Sequence, residues 1–201
     1  MKPAIDYPPG ATPLDRNELD GVKFRHVTTR EELDELEQAN IESGLRWLAR
    51  SRGDVLTDRF AVALHKRLFG DVWDRAGTFR TTGKNIGVDP IHIAVALRAL
   101  MDDARYWVDH RVYDPIECAA RLRQRIAFIH PFPKGNGRHA RIMADIVLRR
   151  VFCAAPIDWA GGHDLQRMND RRTAYIAALK AADAGDIAPL LAFVGRPKQS
   201  A

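Results

Sequence analysis

Between residues 130 and 141 the chain reads HPFPKGNGRHAR, and those residue types could together grip a phosphate. Gly135, Asn136 and Gly137 can adopt backbone conformations closed to most residues, so successive N–H groups can turn inward as an anion nest. A helix opening directly after them would add the positive end of its dipole. Arg138 in its first turn and Arg141 three residues later can face the same concavity, each with a planar fork of donors suited to phosphoryl oxygens. Lys134 would bring a point charge to the same place. His130, just ahead of the turn, titrates near neutrality and can accept a hydroxyl proton beside a bound phosphate. Phe132, between Pro131 and Pro133, reads as an apolar peg that fixes the loop.

Two helices must hold that turn. Asp114-Pro115 opens the incoming one, with Ile116, Ala119, Leu122, Ile126 and Ile129 at helical spacing, and the prolines at 131 and 133 end it at His130. The outgoing one runs from Arg138 to about Val151 on Ile142, Met143, Ile146 and Val147. Upstream, Thr28 or Thr29 caps a helix with Glu31 and Glu32 in its first turn, carrying Leu33, Leu36, Ile41, Leu45 and Leu48 to about Ser51. Leu56, Phe60, Leu64 and Leu68 predict a second helix that Gly70 stops. Asp89-Pro90 starts another on Ile93, Leu97, Leu100 and Met101. A last pair covers about Asp164 to Ala182 and Ile187 to Val194, split by Gly185. Residues 77–87, GTFRTTGKNIG, have the composition of a short β-hairpin. The expected fold class is therefore all-α, mainly helical, with that one hairpin. Residues 1–28 form an extended arm with a short strand or turn at Val22 to His26, 29–195 the domain, and 196–201 a disordered tail.

The chain has 201 residues, with 31 Lys+Arg against 26 Asp+Glu, 46% hydrophobic and 28% charged, which is ordinary composition for one globular domain. Cys118 and Cys153 cannot form a disulfide framework, and neither they nor His65, His92, His110 and His163 have metal-ligand spacing, so no protein-held metal is expected. Trp47, Trp73, Trp107 and Trp159 read as core, and His139 as a packing or surface residue. With neither a secretory leader nor a stretch of ~20 apolar residues, a soluble cytoplasmic protein without a membrane partner is expected. The net charge of +5 is spread along helices, which does not favour nucleic acid as a partner.

The segment resembles the Fic motif, HxFx(D/E)GN(G/K)RxxR, at His130, Phe132, Gly135, Asn136, Gly137, Arg138 and Arg141 without a gap. The stretch from VWDRAGTFR to KNIGV looks like the Fic flap, and the chain from Glu32 to Val194 resembles the mobile mystery protein B branch of Fic proteins. The resemblance implies transfer of AMP from ATP to a Ser, Thr or Tyr hydroxyl of a target protein. His130 would be the base, Asn136 and the nest would hold the α-phosphate, and Arg138 and Arg141 would stabilise the departing pyrophosphate. Phe79, Arg80, Thr81, Lys84 and Asn85 of the flap would hold a target segment as an added strand.

The departure from the motif is Lys134, which stands where active relatives carry an acidic residue that holds Mg²⁺. A protonated lysine cannot ligate the ion and repels it. Three outcomes stay open: Lys134 contacts phosphate in place of the cation, the donor is another phosphate-containing molecule, or the site is a catalytically silent module that binds nucleotide or protein. Fic proteins are often restrained by a helix of pattern (S/T)xxxE(G/N), whose Glu pairs with the second motif arginine. No segment here fits it, so restraint is expected from outside the chain, for example from a helix-turn-helix partner encoded nearby.

Overall fold

In a computed structural model of the protein, the described residues are 21–24, 27, 29–159 and 170–195. Thr29 starts the first helix, α1 (Arg30–Arg50), through a reciprocal cap: its hydroxyl accepts the Glu32 N–H, and the Glu32 carboxylate accepts the Thr29 N–H, both at 3.2 Å. Thr57 caps α2 (Asp58–Phe69), accepting the Phe60 N–H at 3.1 Å. A 3₁₀ turn at Pro90–His92 leads into α3 (Ile93–Asp109), and Asp114 caps α4 (Pro115–Ile129) by accepting the Glu117 N–H at 2.9 Å. Then follow α5 (Asn136–Arg150), α6 (Asp170–Asp183) and α7 (Ala188–Val194). The capping residues and the apolar spacing thus set the helices as expected. Thr28, His163, Asp164, most of the arm and the C-terminal tail lie outside the described residues.

The apolar stripes meet in two cores. The larger gathers Leu33, Ile41, Leu64, Leu68, Ile93, Leu97, Leu122, Ile126 and Met143 from α1 to α5. The smaller joins Ala119 and Ala120 of α4 and Ala144 and Leu148 of α5 to Trp159, Tyr175 and Leu190. Helices α4 and α5 therefore contribute to both cores, and the turn that links them is held from two sides. Leu45 falls outside this pattern and is 41% exposed.

No strand forms among the described residues, so the expected hairpin at 77–87 is corrected. Its backbone donors go elsewhere: the Arg80 N–H bonds the Pro131 carbonyl at 3.0 Å and the Val88 N–H bonds the Ile129 carbonyl at 3.4 Å. A buried arginine side chain closes the segment in place of a ladder. Arg80 Nε donates to the His130 carbonyl at 2.7 Å, Nη1 to Thr82 at 2.8 Å, and Nη2 to Val88. The short strand expected near Val22 is reduced to one antiparallel bridge between Val22 and Trp73.

Candidate functional site

Helix α4 ends because His130 turns left-handed, with φ 53° and ψ 59°, while its N–H still reaches the Ile126 carbonyl at 3.1 Å. Asn136 then folds the loop back on itself: its Oδ1 accepts the Phe132 N–H at 2.9 Å and its Nδ2 donates to the Phe132 carbonyl at 2.7 Å. Its oxygen and one of its two N–H donors are thus used in shaping the turn. Gly135 has φ 80°, and a Cβ there would lie 2.7 Å from the Phe69 ring, so only glycine fits. Gly137 faces open space, with nothing within 4 Å of a Cβ added to it. No side chain caps α5, whose first-turn N–H groups at Gly137 and Arg138 have no acceptor within the helix. The start of α5 is thus open at Gly137.

Phe132 is fully buried, as the peg reading requires, and two buried histidines wedge it in place. His65 stacks on it with ring centroids 3.7 Å apart, and His139 meets it edge-on at 5.1 Å. His65 Nδ1 accepts the Gly77 N–H at 3.0 Å, which fixes the proton on Nε2, and Nε2 donates to the Lys134 carbonyl at 2.9 Å. One imidazole thereby ties the turn between α4 and α5 to the start of the 77–87 segment. His139 Nε2 bonds the Ala61 carbonyl at 2.9 Å, so it is a packing residue.

His130 is 7% exposed, and burial, Arg80 and Lys84 push its pKa down to about 4, against a hydrogen bond to Ala127 that favours the charged form. The ring is neutral at pH 7. A neutral imidazole carries one N–H and keeps a lone pair on its other nitrogen. The flap segment rests on it: at Gly87, where φ is 104°, a Cβ would lie 2.8 Å from His130 Cβ. Phe79 leans on Phe132 at 6.1 Å, Lys84 is half-buried, and Thr81 and Asn85 are exposed. Arg80, expected to hold a target, is instead 2% exposed and structural.

The residue that the sequence reading missed is Glu37 of α1. It is 1% exposed, and its carboxylate receives the Trp73 indole N–H and the Lys134 ammonium on Oε1, each at 2.8 Å, and the Arg138 guanidinium on Oε2 at 2.5 Å. Lys134 also lies 4.3 Å from the Trp73 ring centroid. Burial raises the Glu37 pKa, but Arg138 and Lys134 together outweigh it and hold the carboxyl at about 2. An acid inside the chain therefore sits on the first motif arginine. The available signal was its phase: Glu37 falls on the same stripe as Leu33, Ile41 and Leu48. Arg141 is half-buried and makes no hydrogen bond or ion pair with the described residues.

The donor set does not fit Mg²⁺. Position 134 is a cation, the nearby carboxylate is taken up by three donors, and no cluster of metal ligands occurs among the described residues.

These burials make acid destabilising. His65, His130 and His139 all have folded pKa values depressed by burial, so their neutral forms support the fold above pH 6.5 and lose that support as pH falls, toward about 4 for His130 and His139. Glu37 adds about 3 kcal/mol that is present above pH 4.5 and lost as pH falls to about 2. Urea unfolding should show stability dropping between pH 7.5 and pH 5; a flat profile over that range would contradict neutral burial of the imidazoles.

Comparison with known proteins bears on the same segment. Residues 55–148 match the model of the Fic/DOC family. "Protein adenylyltransferase fic-1" of Caenorhabditis elegans is 27% identical over 69% of this chain and 26% of its own length. "Protein adenylyltransferase Fic" of Nematostella vectensis is 30% identical over 67% of this chain and 30% of its own. The chain thus spans less than a third of these relatives. Among solved structures, a fragment of C. elegans Fic-1 aligns over 87% of this chain and 51% of the fragment, with 25% identity and a TM-score of 0.65. BepC of Bartonella tribocorum, solved with AMPPNP bound, covers 90% of this chain and 96% of its own with a TM-score of 0.67 and 15% identity, a likeness of fold alone.

Proposed function

The chain belongs to the Fic/DOC family, and we propose that it binds ATP at the turn between α4 and α5 and transfers AMP to a hydroxyl of a target protein. The observation that carries this reading is the uncapped α5 N-terminus with Gly137 open to approach, beside a neutral His130 and within reach of two motif arginines. The names of the relatives, adenylyltransferases, and the AMPPNP in BepC support ATP as the donor.

In the proposed step, the free ring nitrogen of His130 takes the proton of the target hydroxyl. The hydroxyl oxygen attacks the α-phosphorus as the bond from that phosphorus to the α–β bridging oxygen breaks, and pyrophosphate leaves. The amides of Gly137 and Arg138 bind the α-phosphate, while Arg138 and Arg141 take up charge on the leaving group. The exposed flap edge, including Thr81 and Asn85, receives the target backbone; its two ends are tied on either side of His130 at Ile129 and Pro131, which keeps a docked strand over the base. Lys134 contacts Glu37, so it acts on phosphate only after that pair opens.

Incubation of the purified protein with α-labelled ATP and a lysate tests the reading. Transfer of label to a protein hydroxyl supports it. ATP binding without transfer would favour the silent-module alternative, which Lys134 and the engaged Glu37 make the specific rival.

A further inference from the structure

Where α4 packs against α6, a guanidinium is buried with two of its nitrogens lacking an acceptor among the described residues. Arg123 is 2% exposed, and its Nε and Nη1 are buried without a hydrogen-bond partner. Its guanidinium carbon lies 4.5 Å from the ring centroid of Tyr175, whose hydroxyl is likewise buried and unpartnered. Asp183 is within electrostatic reach, but its Oδ1 takes the Gln124 amide at 2.7 Å. Arg141 is close enough that its charge acts on Arg123.

Nearly all buried polar groups in native proteins are bonded, and a buried cation without an acceptor costs several kcal/mol. The Tyr175 face recovers part of that, but a ring offers nothing in the plane of the guanidinium, where Nε and Nη1 point. A water could accept from one or two of these donors. It would not offset two arginines that repel each other. An oxyanion does both.

We propose that Arg123, the Tyr175 hydroxyl and Arg141 form a second oxyanion site that takes a phosphoryl group. Arg123 lies seven residues before His130, and Arg141 five after Asn136. At ~1.5 Å per residue, Arg123 sits about 10 Å and Arg141 about 8 Å along its helix from the turn. The terminal phosphate of a chain whose α-phosphate rests on the nest could reach there, a source that rests on the nucleotide reading above. A free phosphate is the other source of the same chemistry.

Thermal unfolding of the full chain against inorganic phosphate, pyrophosphate and tripolyphosphate, at constant ionic strength in chloride, tests the site. The wild type should gain Tm saturably with at least one of these anions. Arg123→Met keeps the stem but not the donors and should weaken that response about tenfold, the scale of a charged hydrogen bond, with Arg123→Lys intermediate. Tyr175→Phe keeps the stack and should weaken it about threefold, which carries the test should Arg123→Met not fold. Arg138→Gln separates the sources: a free-phosphate site keeps its Arg123-dependent response in that background, whereas the end of a chain gives the response only with tripolyphosphate in the wild type and loses it in that background. The proposal is overturned if the wild type responds to none of the anions, or if the Arg123 and Tyr175 variants respond as the wild type does. Binding of ATP to the same proteins keeps the two readings apart: an Arg123-dependent anion response without ATP binding retains this site and removes the nucleotide assignment.

Discussion

His130→Ala lowers transfer of label from ATP by a factor of about 10²–10⁴, the usual contribution of a positioned base, while leaving ATP affinity nearly unchanged. The split follows from the geometry. The nest, Arg138 and Arg141 do not use the imidazole, whereas the target hydroxyl has to lose its proton to it. Because burial and the cations Arg80 and Lys84 hold the ring at a pKa of about 4, the base is deprotonated across the neutral range. Transfer by the wild type should therefore persist at pH 6, where an ordinary histidine would be mostly protonated, and fail only as pH approaches 4. Parallel losses of binding and transfer in His130→Ala would mean that the residue shapes the turn and does not act on the proton.

Glu37→Gln has the opposite sign. Its carboxylate holds Arg138 at 2.5 Å and Lys134 at 2.8 Å, and its depressed pKa corresponds to about 3 kcal/mol of interaction with its cations. A phosphate that needs those donors competes with it. Arg138 and Lys134 keep 21% and 25% of their side-chain surface, and a guanidinium has donors to spare, so the gain falls short of the full amount. We expect ATP affinity, measured by calorimetry, to rise about tenfold, with a parallel rise in transfer. The same change should lower stability in the absence of nucleotide, because two cations lose their counter-charge. A fall in affinity would show that Glu37 orients Arg138 for the ligand and does not withhold it.

Much of this site was legible in the chain because local chemistry dictates it. The glycines at 135 and 137 and the fork-shaped donors at 138 and 141 are read directly from residue type and spacing, and the helix starts at Thr29 and Asp114 fall where their side chains predict. What escaped depends on contacts between residues far apart in sequence. Glu37 is 101 residues from Arg138, and only its place on the buried stripe of α1 hinted that it would point inward. The flap failed as a hairpin for a similar reason: residues 77–87 have β-formers and glycines, but Arg80 and Val88 find backbone partners at Pro131 and Ile129, so tertiary pairing displaces the ladder. Asn136 was assigned to phosphate by type, and its bonds to Phe132 four residues earlier, which shape the turn, were not foreseen. The comparisons reach the family through the same motif and do not extend to the branch.

The central claim is that backbone amides at the start of α5 receive a phosphate of ATP beside His130. Two-dimensional amide spectra of the isotope-labelled protein, titrated with ATP in the wild type and in Glu37→Gln, test it directly. The account predicts saturable shifts of the Gly137 and Arg138 amides together with the His130 ring, at lower ATP concentration in the variant. ATP binding that leaves those two amides unmoved, or no binding in either protein, would contradict it.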